Sequence, residues 1–447
     1  MMHCTPHHRG SLMARGLLLL FVGGSVAGCD GLLEVDDPIA VLEDRVNSPI
    51  GAELLRRSAL TALFRAVESS ARESGLLADE FRYEQPPWVD GFSFPFDDQQ
   101  LFDMRASLQD QDRLEFGAVT AYAQWQAVRS RHATIAIEKL RRYALPGARE
   151  AHVGEMLAVR AWAAMRLAEN HCPGFPLHEV VDFDVILGPA VTTEEAFAYA
   201  LARFDSALTW AADSARVLNF ARVGRARTLL QLGRFADAAS AATAVPSAYV
   251  YQASYGDFQE NNLAATGPFG ELWGSGTGRS VADREGGNGL DFVSANDPRV
   301  PTVPKDTARD GVTPFYGLTK YPSYTSPIPI ATGLEARLIE AEAALQAGDP
   351  NWLTILNTLR ADQGLGPLAD PGTPAARLDL LFRERAFWLF ATGTRLGDLR
   401  RLVRVYGRPS ESVFPTAAYW RGGSYGPSTN LPIDRSERDT FGFWCTG

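Results

Sequence analysis

Beyond about residue 48, apolar positions recur every three to four residues, the repeat of helices that bury one face. Asn47-Ser48-Pro49 sets a capping residue before a Pro at the first helical position, and Leu54, Leu55, Ala59, Leu63 and Val67 follow, predicting a helix from about 49 to 73. Phe116, Val119, Tyr122, Ala123, Trp125, Val128, Ile135, Ile137 and Leu140 predict another over 113–143, stopped by Pro146-Gly147. Met156, Val159, Trp162, Ala163 and Leu167 lie on a third. Thr192 with Glu195 three residues on is a capping-box signature ahead of Ala196, Phe197, Ala200, Leu201, Phe204 and Leu208. A further helical block runs from Pro374 to about Val405. Short turns between such segments predict an all-α array of antiparallel helical hairpins.

Two stretches resemble tetratricopeptide units. One has Ala226 and Leu229, then Leu232-Gly233-Arg234-Phe235 and Ala238; the other has Ala341 and Ala344, then Gln346-Ala347-Gly348-Asp349. Small residues at these offsets let two helices approach, and the Gly closes the turn between them. Three stretches, at about 79–111, 247–330 and 406–447, break the helical pattern and are rich in Gly, Pro and aromatic residues. Loops this long in a compact protein are usually functional or covered by a partner.

The start of the chain reads differently. Arg15 precedes Leu17-Leu18-Leu19-Leu20-Phe21-Val22, which fades into Val26-Ala27-Gly28-Cys29. Gly16 to Gly28 makes about 20 Å of helix, too short for a hydrocarbon core of about 30 Å, so residues 1–28 read as a signal peptide. Small residues directly before Cys29 resemble the bacterial lipobox, which predicts lipidation of Cys29 and a mature chain of 29–447. Acyl chains contribute about 0.8 kcal/mol per buried methylene, enough for a multiply acylated Cys29 to hold the protein on a membrane. In an exported chain the remaining Cys172 and Cys445 form either one disulfide bridge or two separate buried thiols; no CxxC spacing claims them for a metal.

Composition narrows the function. A net charge of −10 and the absence of a basic cluster exclude a nucleic-acid binder. Only Lys139, Lys305 and Lys320 are lysines, so the chain's basic groups are almost all Arg. No HExxH or GxSxG motif occurs, His171 and His178 fit one helical face poorly, and the run from Gly274 to Ser280 lacks the Lys of a phosphate-binding loop. The reading is therefore of a protein with no enzymatic activity, no metal and no cofactor.

The order of segments resembles the SusD/RagB family of bacterial nutrient-uptake lipoproteins. Leu32-Leu33-Glu34-Val35-Asp36-Asp37-Pro38 is similar to the family's acidic segment after the lipidated Cys, and Gly75-Leu76-Leu77-Ala78-Asp79-Glu80-Phe81 to the close of its first helix. Arg160 to Ala168, leading to Phe175-Pro176-Leu177, resembles its helix before a Val-Pro-Leu loop. Arg337 to Ala343, Leu356 to Arg360, Glu384 to Phe390 and Arg395 to Arg401 match most closely, and Asn430-Leu431-Pro432-Ile433 resembles a near-terminal Asn-x-Pro-Ile. Leu396-Gly397 departs from the aromatics often found there.

The resemblance implies one helical domain with tetratricopeptide-like repeats, anchored by lipid to the cell outer membrane beside a SusC-like TonB-dependent transporter. There it would capture an oligosaccharide or peptide ligand and pass it on. Sugars offer flat apolar faces bordered by hydroxyls, so a glycan site needs exposed rings with polar groups beside them. Trp88, Trp273, Tyr316, Tyr321, Tyr324, Trp420 and Tyr425 sit in the irregular loops. The family's contact regions correspond to Arg82–Trp88 and Trp273–Tyr324, so the expected ligand-binding residues are Asp79, Arg82, Trp88, Trp273, Tyr316 and Tyr324. The alternative is a tetratricopeptide scaffold lipoprotein for protein–protein interaction in the envelope.

Overall fold

Ser48 opens the first long helix, Pro49–Leu77, its Oγ accepting from the Gly51 amide at 3.0 Å, and the helix runs past the expected end near residue 73. The computed structural model describes residues 43–83, 98–106, 120–181, 184–211, 213–256, 279–308, 311–434, 437 and 439–440. The signal segment and Cys29 lie outside the described residues.

The expected helix over 113–143 is described from Thr120. It divides into Thr120–Ala127 and Ala133–Tyr143 around a π-helical turn, Val128–His132. Arg149–Asn170 is buried throughout from Val153 onward, and Thr193–Trp210 and Ala215–Gln231 pack against it. The capping box forms as expected: Thr192 Oγ1 accepts from the Glu195 amide at 3.2 Å, and Glu195 Oε2 accepts from the Thr192 amide at 2.8 Å.

Both tetratricopeptide-like pairs are present, as Ala215–Gln231 with Phe235–Thr243 and Gly333–Gln346 with Asn351–Asp362. Gly233 and Gly348 each sit at φ +70°, the left-handed conformation that the two turns require. Phe235–Thr243 packs directly on Gly333–Gln346, so the pairs stack although a long insertion separates them in sequence.

Short strands lie between the helices: β1 Phe81–Tyr83, β2 Glu179–Val181, β3 Asp184–Ile186, β4 Val250–Ala253, β5 Arg279–Val281, β6 Thr302–Thr307, β7 Pro314–Leu318 and β8 Ile328–Thr332. All pair antiparallel, as β1 with β5, β2 with β3, β4 with β8 and β6 with β7. Val250 opposes Thr332, so the chain leaves and rejoins the helical array at one neck.

Buried ion pairs tie the helices together. Glu169 accepts from Arg227 at 2.7 and 2.8 Å and from Arg166 at 2.7 Å. Asp398 accepts from Arg385 at 2.8 and 3.0 Å and from Arg401 at 2.9 Å, and Glu342 accepts twice from Arg401 at 2.8 Å. Burial alone would raise the Asp398 carboxyl, but Arg385 and Arg401 hold it well below the usual carboxylate range.

The helical block expected over 374–405 is two helices, Pro374–Trp388 and Arg395–Arg404. Backbone groups freed at the break find side-chain partners from distant segments. Ala391, at φ +57°, donates its amide to Glu80 Oε1 at 2.9 Å and accepts from the Tyr321 hydroxyl at 3.0 Å, while the Phe390 carbonyl accepts from Lys320 Nζ at 2.6 Å. Cys172 is fully buried and disulfide-bonded. Cys445, the candidate partner in the sequence, lies outside the described residues.

Candidate functional site

The β1–β5 ribbon places Arg82 opposite Ser280, and Ser280 Oγ in turn accepts from the Tyr316 amide at 2.9 Å, drawing β7 alongside. Arg82 Nη2 donates to the Pro314 carbonyl at 2.7 Å. Two of the expected ligand residues, Arg82 and Tyr316, therefore meet at one small patch of sheet, both half-buried.

The C-terminal loop completes this surface. Arg105 is fully buried at φ +52° and donates to the carbonyls of Ser428 (2.9 Å) and Pro415, while the Gly426 amide donates to the Met104 carbonyl at 2.9 Å. A strained backbone held by its own side chain in this way fixes the loop against helix Asp98–Asp103. The loop carries Tyr419, Trp420, Arg421 and Tyr425. The Arg82 guanidinium lies 4.9 Å from the centre of the Trp420 ring and the Arg421 guanidinium 5.5 Å, within the range of cation–π attraction.

Two carboxylates lie beneath this shelf. Asp103 Oδ2 accepts from the Tyr83 amide at 2.9 Å, the Tyr419 hydroxyl at 2.7 Å and Trp420 Nε1 at 3.4 Å. Glu285 accepts from the Tyr425 hydroxyl, and the Tyr419 and Tyr425 rings meet edge to face with centroids 5.2 Å apart. Burial, followed by the neighbouring Glu285 charge, pushes Asp103 well above the carboxylate range, and burial raises Glu285 as well. Asp103 is 1% exposed and Glu285 5%, so neither faces a solvent-borne substrate as glycosidase carboxylates do. They brace the aromatic loop from below.

The other expected residues divide. Asp79 was expected to offer a polar contact to ligand; it is 2% exposed, with its two oxygens taken by Arg395 at 2.6 and 2.9 Å and by the Leu290 amide at 3.0 Å. It holds the segment before β1 in place. Tyr324 is half-buried in the turn before β8, packed on the core. Trp88 and Trp273 lie outside the described residues. Tyr321 is buried, with its hydroxyl committed to the helix break. Trp420 and Tyr425 stood only in the general set of loop aromatics, and nothing in the sequence links Asp103, Glu285 and Arg421 to them. Among the described residues no group of three or more His, Cys, Asp or Glu is placed to hold a metal ion, and no helix is long and apolar enough to cross a membrane.

No protein-family model matches the sequence, and no curated protein does. Solved structures do. A SusD-like carbohydrate-binding protein from Bacteroides vulgatus superposes with a TM-score of 0.57 at 13% identity, covering 79% of this chain and 83% of that one. NanU from B. fragilis gives 0.61 at 14%, covering 90% and 97%, and surface glycan-binding protein A from Bacteroides uniformis gives 0.59 at 15%, covering 87% and 98%. The chain has the SusD-like fold, a tetratricopeptide-like helical array.

Proposed function

We propose that this chain is a glycan-binding protein of the bacterial cell envelope that captures oligosaccharides and delivers them to a TonB-dependent outer-membrane transporter. The observation that carries the reading is the fold: along nearly its whole length it is shared with proteins named as carbohydrate- or glycan-binding. The geometry supports a binding role because the long insertions bring a ring and two guanidinium groups to one surface, while the nearby carboxylates are buried and braced.

In this proposal Trp420 and Arg82 form the described part of the ligand shelf, Tyr316 flanks it, and Trp88, Trp273 and Tyr324 add rings from the insertions. Asp79 acts through the backbone it positions. Each stacked ring adds on the order of 1 kcal/mol beyond area burial, so capture is weak, which suits a protein that hands its cargo onward. Lipidated Cys29 would hold the chain at the outer membrane, and the chain binds its ligand without transforming it. Detergent co-isolation from outer membranes tests the delivery step: a TonB-dependent barrel recovered with the chain is expected, and its absence after crosslinking would sink that part of the reading.

A further inference from the structure

Away from the Trp420 shelf, three guanidinium groups gather around one tyrosine. The guanidinium carbons of Arg203, Arg160 and Arg129 lie 4.7, 5.7 and 6.0 Å from the centre of the Tyr199 ring. Arg129 belongs to the π-helical turn Val128–His132, Arg160 to Arg149–Asn170, and Tyr199 and Arg203 to Thr193–Trp210. Arg129 is 0% exposed and Arg160 8%, whereas Tyr199 and Arg203 are half-buried, so the cluster opens to solvent on one side.

The acceptors at hand do not match these donors. Arg129 spends Nε and Nη2 on a single Gln126 amide oxygen at 3.3 and 2.9 Å, and Arg160 Nη2 donates to Glu179. Glu437, another nearby carboxylate, accepts from the Tyr122 hydroxyl and lies 3.6 Å from His178 Nε2. Arg203 has no hydrogen-bond acceptor and no ion-pair partner among the described residues. Arg129 Nη1, Arg160 Nε, Arg203 Nε and the Tyr199 hydroxyl are all buried atoms without a partner among the described residues. The Tyr199 hydroxyl lies beside the Arg129 guanidinium. Buried N–H groups are seldom left unpaired, like charges so close repel, and π-helical turns recur at functional sites.

Donors and positive charge without an acceptor define the missing partner as a small anion with oxygen acceptors. We propose that Arg129, Arg160, Arg203 and Tyr199 form a binding site for one oxyanion, a carboxylate, sulfate or phosphate group. The site is separate from the Trp420 shelf and does not depend on the glycan reading.

The mature chain is titrated with sodium phosphate, sodium sulfate or sodium acetate, with sodium chloride keeping ionic strength constant, while its Tm is followed. At least one oxyanion should raise Tm by several degrees and saturate, and the rise should vanish in Arg203→Gln, whose half-buried position lets the variant fold. Tyr199→Phe, which removes only the hydroxyl, should weaken the apparent affinity about fivefold. A response to phosphate or sulfate but not acetate assigns a tetrahedral ligand, and a response to acetate assigns a carboxylate. No rise beyond that of chloride, or an equal rise in Arg203→Gln, overturns the proposal.

Discussion

Glu169 is the anion that ties helix Arg149–Asn170 to helix Ala215–Gln231, and Glu169→Gln tests whether the buried ion pairs hold the array together. Its carboxylate accepts three bonds from Arg227 and Arg166, with side-chain exposures of 0% for Glu169 and 4% for each Arg. Glutamine keeps the shape but not the charge, and its amide turns two N–H groups toward guanidinium donors. Arg227 would keep only one ion pair, the longer one to Glu335 at 3.4 Å. Breaking a buried pair by removing one partner costs about 3–5 kcal/mol, a large part of the 5–15 kcal/mol typical of a folded protein. Burial pushes the Glu169 carboxyl up, but Arg227 and Arg166 more than offset it, leaving its pKa below the ordinary 4.5. The advantage of the parent over the variant is therefore complete above about pH 4.5 and is lost as pH falls through the folded-state value. Urea unfolding of both proteins at pH 7 and at several pH values below 4.5 measures this directly. A loss below about 1 kcal/mol at pH 7, or a difference that does not change with pH, would refute the reasoning.

Three further outcomes follow from particular residues. Burial pushes Glu80 up to about 8, so between about pH 4.5 and 8 the folded chain holds a proton that the unfolded chain releases. Stability of the parent relative to Glu80→Gln should fall as pH rises across that window and level off above it; a flat difference would show that Glu80 is ionised in the fold. Cys29→Ser should release the protein from membranes without detergent, and equal partitioning of parent and variant would reject lipid anchoring. Non-reducing peptide mapping should recover Cys172 joined to Cys445, and a free Cys172 thiol would reject the bridge.

What could be read from the sequence was local. Ser48-Pro49 and the Thr192–Glu195 box mark helix starts because a cap is written within four residues, and Gly233 and Gly348 mark turns because each takes a left-handed conformation that favours glycine. The Arg-bearing segments around 160–168, 337–343, 384–390 and 395–401 carry the family resemblance, yet the pairing of Glu169 with Arg227 and of Glu342 with Arg401 joins helices far apart in the chain. The break at Leu389–Thr394 was hidden for the same reason, since Glu80, Tyr321 and Lys320 supply its partners from elsewhere. The sequence points to Arg82 and Tyr316 directly, whereas the role of Trp420 depends on a C-terminal loop being stitched to Arg105 more than 300 residues earlier. Asp79 looked available because an acidic residue beside a loop says nothing of its burial.

Glycan-array screening of the mature chain, followed by calorimetric titration of the best ligand into the parent, Trp420→Ala and Arg82→Met, tests the central claim most directly. The account predicts weak, saturable oligosaccharide binding to the parent and a loss of about fivefold or more in each variant, with Tm unchanged. An array without a single glycan hit, or a hit that both variants bind as tightly as the parent, would contradict it.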